Sequence, residues 1–167
     1  MKAWKELQED VWKIEPNRMT AVSILKMVEV RKEALKNSIT ILTENKMTFF
    51  ESHLSCQGKK YYTFLNNEKF TTIIVEDYYE IIKEIITAIL EMDGFKTLSH
   101  EALIAYLAEY YKEFSGYDID FLDRLRKTRH KIAYKGFFVE KDYLDRSNKK
   151  LDQIIGILTN ILKNRLK

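Results

Sequence analysis

The segment FTTIIVEDYYEIIKEIITAILEM, residues Phe70 to Met92, sets the fold class. Ile74, Tyr78, Ile81, Ile82, Ile85, Ile86, Ile89 and Leu90 recur at intervals of three and four, the spacing that gathers side chains on one face of an α-helix. So many isoleucines also suit a strand, but the length of the run and its 3–4 spacing decide for helix. Asp93-Gly94 follows at once, and glycine after the last periodic residue is a helix stop.

The same pattern extends in both directions. Upstream, Val22, Leu25, Val28, Leu35, Ile39 and Leu42 predict a long helix over Met19 to Leu42. A short helix is expected over Lys2 to Ile14, ended by Glu15-Pro16-Asn17. Between Asn45 and Asn67 the reading is a helix end, a loop with Gly58-Lys59-Lys60 as its turn, and the entry to the next helix, flanked by Phe49, Phe50, Tyr61, Tyr62 and Phe64. Downstream, Ser99 is an N-cap for a helix carrying Leu103, Leu107, Tyr110 and Phe114 on one side, closed by Ser115-Gly116. Asp118 or Asp120 opens a helix through Tyr134 that Lys135-Gly136 ends. A last helix starts near Glu140 or Lys141, with the stripe Leu151, Ile154, Ile155, Leu158, Ile161 and Leu162.

One proline and five glycines leave few punctuation points, and short connections favour antiparallel neighbours. The expected fold is all-α: an antiparallel up-and-down bundle of four to five core helices with an N-terminal helical extension. The chain reads as a single domain, 1–167, large enough for a core without staples.

A net charge of +3 is too small an excess to mark a nucleic-acid binder by itself, so only local clustering is informative. Cys56 is the sole cysteine, which excludes an intramolecular disulfide, and its expected role is a small buried hydrophobe. Neither a secretory signal nor a long apolar run is visible, so the expectation is a soluble, cytoplasmic protein without a membrane span. No Cys/His spacing suggests zinc, and no Gly-rich phosphate loop, Gly-x-Ser-x-Gly or His-Glu-x-x-His occurs, so no metal or cofactor is expected.

The clustering is found in RLRKTRHKIAYKG, Arg124 to Gly136. Six basic residues (Arg124, Arg126, Lys127, Arg129, Lys131, Lys135), His130 and Tyr134 share this one stretch. On a helical wheel Ile119, Leu122, Leu125 and Ile132 form the buried stripe, and Arg129 falls between the directions of Leu122 and Leu125. A guanidinium at that margin must be paired or must face an interface or cleft. Arg126, His130 and Tyr134 follow at i, i+4 and form a polar ridge beside it. Arginine grips phosphate through parallel hydrogen bonds, and histidine moves protons near neutral pH, so the set suits metal-independent RNA phosphodiester chemistry. The plainer alternative is a solvated face whose cations complement the helix dipole.

With its surroundings, the stretch Leu125-Arg126-Lys127-Thr128-Arg129-His130-Lys131-Ile132-Ala133-Tyr134-Lys135-Gly136 resembles the HEPN family (higher eukaryotes and prokaryotes nucleotide-binding). That family's signature is Arg-Asn-x-x-x-His on a late helix, with a Leu-Arg-x-x-Arg-Asn-x-x-x-Tyr/His-x-Gly form in archaeal and bacterial members. The resemblance implies a HEPN-like core over 70–162, with 1–65 as an N-terminal elaboration that supplies a bundle helix. It implies an RNA-associated protein, a metal-independent endoribonuclease of toxin type, acting as a homodimer whose signature helices share a cleft. Arg129, His130 and Tyr134 would be catalytic, and Arg124, Arg126, Lys127, Lys131 and Lys135 would bind the nucleic acid. The alternative it implies is a non-catalytic nucleotide- or protein-binding module, for example the partner of a small nucleotidyltransferase. The chain departs from the signature: His130 stands at the asparagine position and Tyr134 at the histidine position. A second register pairing Arg124 with His130 puts the two side chains about 240° apart on the wheel.

Glu76 and Asp77 are candidates to pair with Arg129 across the bundle, as an acidic residue on a facing helix does in family members, with solvated helix surface the plainer role for at least one of them. His53 and His100 stand alone, and His100, in a first helical turn beside Glu101, reads as structural or exposed. Tyr78, Tyr79, Tyr106, Tyr110, Tyr111 and Tyr117 offer either packing or base stacking.

Overall fold

A computed structural model describes residues 1–43, 50–52, 61–63 and 67–167. A 3-10 helix over Trp4–Asp10 leads into strand β1 (Val11–Lys13), and helix α1 spans Arg18–Thr43. Strands β2 (Phe50–Ser52) and β3 (Tyr61–Thr63) pair antiparallel with Phe50 opposite Thr63. Helix α2 (Asn67–Met92), strand β4 (Phe95–Thr97) and helices α3 (His100–Tyr110), α4 (Gly116–Lys135) and α5 (Lys141–Arg165) complete the chain.

Helix α2 is the axis of the bundle and packs against α1, α3, α4 and α5. A helix covered on several sides must be apolar over most of its circumference. That is what the isoleucine run provides: Ile74, Tyr78, Ile81, Ile82, Ile85, Ile86, Ile89 and Leu90 are all buried. Helix α1 presents Ala21, Val28, Leu35 and Leu42 to the core, a seven-residue repeat that keeps one seam against α2 over the helix's length. From α5, Leu151, Ile154, Ile155, Leu158 and Leu162 close the opposite side, with Ile161 partly buried. The expected all-α antiparallel bundle is the architecture found, with two short antiparallel strand pairs, β1–β4 and β2–β3, added.

Those pairings correct two expectations. The helix expected over Lys2 to Ile14 is a 3-10 turn only to Asp10; Val11–Lys13 then extends and pairs with Phe95–Thr97. The cause is the α2 stop. Gly94 adopts φ +77°, which glycine takes without strain, and its carbonyl accepts from Ile14 N at 2.9 Å. A Cβ at Gly94 would lie 3.1 Å from the Ile14 carbonyl oxygen. Trp4 and Leu7 are buried, and the Trp4 ring packs edge-on against Tyr106 at 5.2 Å and Phe95 at 6.1 Å. In the Asn45–Asn67 segment the described residues include the strand pair β2–β3 where helix and loop were expected. Phe49, His53, Cys56, Phe64 and the Gly58-Lys59-Lys60 turn lie outside the described residues.

Ser99 caps α3 as expected, its hydroxyl accepting from Ala102 N at 3.3 Å. Ser115 does not close that helix: α3 ends at Tyr110, and Ser115 is the N-cap of α4. Ser115 N donates to Asp118 Oδ2 at 2.8 Å while Asp118 N donates back to Ser115 Oγ, a reciprocal box that starts α4 earlier than Asp118 or Asp120 would. Gly136 ends α4 in the left-handed conformation (φ +62°).

Candidate nucleic-acid interface

Helix α4 buries Ile119, Leu122 and Leu125 and partly buries Ile132, the stripe the wheel places inward. That rotation sorts its polar residues into two sets.

The inward set comprises Arg126 and Arg129. Arg129 sits at the seam with α2, its side chain 22% exposed, and Nη2 lies 3.3 Å from Glu80 Oε1. Its guanidinium stands 5.9 Å from the centre of the Tyr79 ring. Nε of Arg129 is buried without a hydrogen-bond partner among the described residues, so the group is only partly satisfied. Glu80 also pairs with Lys83 on its own helix. The carboxylates expected to face Arg129 are thus one turn early. Glu76 does lie within its electrostatic reach, although burial dominates and raises that carboxyl, while Asp77 is raised by burial and lowered chiefly by Arg31. Arg126 donates from Nε and Nη2 to Asp123 Oδ1 at 2.9 and 2.7 Å, and Lys127 Nζ reaches Asp123 Oδ2 at 2.7 Å. Burial raises Asp123, but these two cations outweigh it and hold the carboxyl below its ordinary value.

His100, expected to be structural or exposed, is half-buried beside this set. Its Nδ1 lies 2.8 Å from the Tyr79 hydroxyl. Burial lowers its pKa, with Lys83 and Arg129 adding to the effect. Burial raises the Tyr79 phenol, so it keeps its proton, and the direction of its hydrogen bond with Nδ1 follows the tautomer of the ring. His100 is therefore a neutral wedge between α2 and α3. No signal in the sequence pairs it with Tyr79, because the contact exists only once α3 folds back on α2.

The outward set comprises Arg124, Lys127, His130, Lys131, Tyr134 and Lys135, all exposed. Tyr134 is 70% exposed. Its ring centre lies 4.7 Å from that of His130. Beyond the Gly136 cap, Phe137 and Phe138 are exposed as well, and Lys131 Nζ stands 5.9 Å over the Phe137 ring. At the other end Arg124 stands 5.9 Å over the exposed Tyr117 ring. Arg124, Lys131 and Lys135 form no ion pair among the described residues. The three residues expected to act together thus divide: His130 and Tyr134 share the outer surface, and Arg129 lies at its inner edge.

Of the remaining tyrosines, Tyr78, Tyr79, Tyr106 and Tyr111 are packed in the core, and Tyr110 and Tyr117 are exposed. Among the described residues no group of His, Cys, Asp and Glu is disposed to hold a metal ion, and no helix is long and apolar enough to cross a membrane. Comparison with protein-family models, curated proteins and solved structures finds no match to this chain.

Proposed function

We propose that the outer face of α4 binds single-stranded RNA, as a HEPN-like RNA-associated protein would. The observation that carries this reading is the alternation of uncompensated cations with exposed rings along one helix: Arg124 and Tyr117, then Lys131, His130 and Tyr134, then Lys135 and Phe137. A stretched polyanion carries charges and flat bases in alternation, and a groove or ridge of cations interleaved with aromatics matches both. A plain solvated helix surface balances its charges with i, i+4 acid–base pairs. Among the described residues, the exposed cations of this surface show one such pair, Lys127 with Asp123. A homodimer that sets two such ridges about one strand belongs to the same reading.

Cleavage is the second reading, favoured by the partly satisfied Arg129 lying next to His130 on the same helix. In that version the 2′-oxygen attacks phosphorus as the P–O5′ bond breaks, leaving a 2′,3′-cyclic phosphate and a 5′-hydroxyl; Arg129 leaves Glu80 to stabilise the added charge, His130 takes the 2′-hydroxyl proton, and water protonates the departing 5′-oxygen. Fluorescence anisotropy with a labelled oligouridine tests the binding. Micromolar affinity that falls steeply with salt supports it, and no binding at low salt defeats it. Incubation of the same RNA with EDTA present tests cleavage, which His130→Ala must abolish.

A further inference from the structure

A second feature lies on the far side of the bundle from α4's contacts with α3. Helices α1 and α5 both pack on α2 but scarcely touch one another. The gap is a groove of about 470 Å³, walled by Leu35 and Ile39 from α1 and by Ile155 and Gly156 from α5, with Tyr78 beneath. This is the size of a small-ligand site, and its walls are mainly apolar, as such sites require.

Gly156 is the informative residue. It sits in the interior of a 25-residue helix, away from the positive-φ glycines of the chain. Glycine there costs about 1 kcal/mol of helix stability relative to alanine. Tight packing among the described residues does not demand it, because a Cβ at Gly156 would meet none of their atoms within 4 Å. What glycine provides at this place is room along the groove wall.

The rim has a defined charge. Lys32 and Lys36 line the α1 side, one helical turn apart and therefore on the same face as Leu35 and Ile39. Neither lysine forms an ion pair among the described residues. The one carboxylate of the lining, Asp152, accepts the Tyr78 hydroxyl at 2.9 Å and so is fixed on the α5 side.

We propose that the α1–α5 groove binds an anionic amphiphile, an acyl chain lying over Leu35, Ile39 and Ile155 with its carboxylate at Lys32 and Lys36. The apolar walls exclude a fully polar ligand, and the paired lysines select an anionic over a neutral or cationic head. This site does not depend on the reading of α4.

Isothermal titration of the full chain with dodecanoate below its micellar concentration tests the proposal. Saturable binding with one site per chain is expected. Dodecanol should bind at least about tenfold more weakly, since it lacks the charge-assisted contacts to the lysines. Gly156→Leu, which fills the groove and favours the helix, should abolish binding while leaving the circular dichroism unchanged. Lys32→Glu with Lys36→Glu, both on the surface, should reduce the affinity by at least about tenfold with the groove intact. Non-saturable uptake, equal affinity for dodecanol, or full binding by either variant would overturn the proposal.

Discussion

Glu80→Gln is the perturbation that most sharply probes how α4 is held on α2. The Glu80 carboxylate serves two cations, Arg129 across the seam and Lys83 on its own helix. At 3.3 Å, the Coulomb energy of the cross-helix pair is about 5 kcal/mol with an effective dielectric of about 20. Both side chains keep about a quarter of their surface in water (22% and 24%), so much of that is offset by lost hydration and screening. A net cost of about 2 kcal/mol is reasonable for removing Glu80, lying between exposed pairs and fully buried ones. For 167 residues the unfolding entropy at the midpoint is about 0.35 kcal/mol per kelvin, so Tm should fall by about 6 °C. Arg129→Gln should cost only about half as much, because Glu80 then retains Lys83 whereas the reverse change strands Arg129 beside the Tyr79 ring. Paired thermal melts followed by circular dichroism read the difference. A silent Glu80→Gln, or a larger loss from Arg129→Gln, would refute the assignment of Glu80 as the carboxylate paired with Arg129 across the α2–α4 seam.

Other consequences are equally open to measurement. Burial raises Asp118, but its hydrogen bonds to Lys150 and Ser115 outweigh that and hold it low, as Arg126 and Lys127 do for Asp123. Both carboxylates thus bind protons less readily when folded. Their stabilisation is complete above the ordinary aspartate pKa of about 3.9 and is lost as pH falls through the folded values, so Tm should drop steeply there and less so in Asp123→Asn. His100 is held below the ordinary histidine pKa of about 6.5, mainly by burial. Its contribution is therefore full above that pH and lost as pH falls through the lowered value, and His100→Gln should flatten the Tm profile below about pH 6.5. Gly156→Ala should raise Tm by about 2–4 °C, since about 1 kcal/mol of helix propensity is gained with no clash. Tyr134→Ala, at an exposed position that carries no core contact, should leave Tm within about 1 °C and weaken RNA binding by roughly five- to a hundredfold if the ring stacks on a base.

Helical periodicity carried most of this fold, and it did so where packing is local to one helix. The stripes of α2 and α5 and the inward face of α4 each repeat every three or four residues, and every residue assigned to them from α2 is buried. The N-terminus escaped that logic. Trp4 and Leu7 fit a helical pattern, but Val11–Lys13 is a strand only because a partner, Phe95–Thr97, is delivered by the Gly94 turn far along the chain. Ser115 was ambiguous for a related reason, since a serine before a glycine suits either the end of one helix or the cap of the next. At the interface, the margin position of Arg129 was legible from the wheel alone. Its partner was not: Glu76 and Glu80 lie one turn apart on the same face, and only the relative height of α2 and α4 selects Glu80. The Tyr79–His100 contact left no trace in sequence because it joins residues of two helices through their packing.

The salt dependence of RNA affinity bears most directly on the role of α4. Binding through the uncompensated Arg124, Lys131 and Lys135 would release about three counterions, giving a slope of log K against log salt of about −2.1 for a single strand. Affinity should then fall about twentyfold between about 50 and 200 mM salt. Lys131→Glu combined with Lys135→Glu should abolish measurable binding at the higher salt while lowering Tm by only a few degrees, as both side chains are exposed and form no ion pair among the described residues, and the cost is that of two carboxylates at the C-terminal end of α4. An RNA affinity indifferent to salt, or undiminished in that double variant, would contradict a nucleic-acid role for this helix.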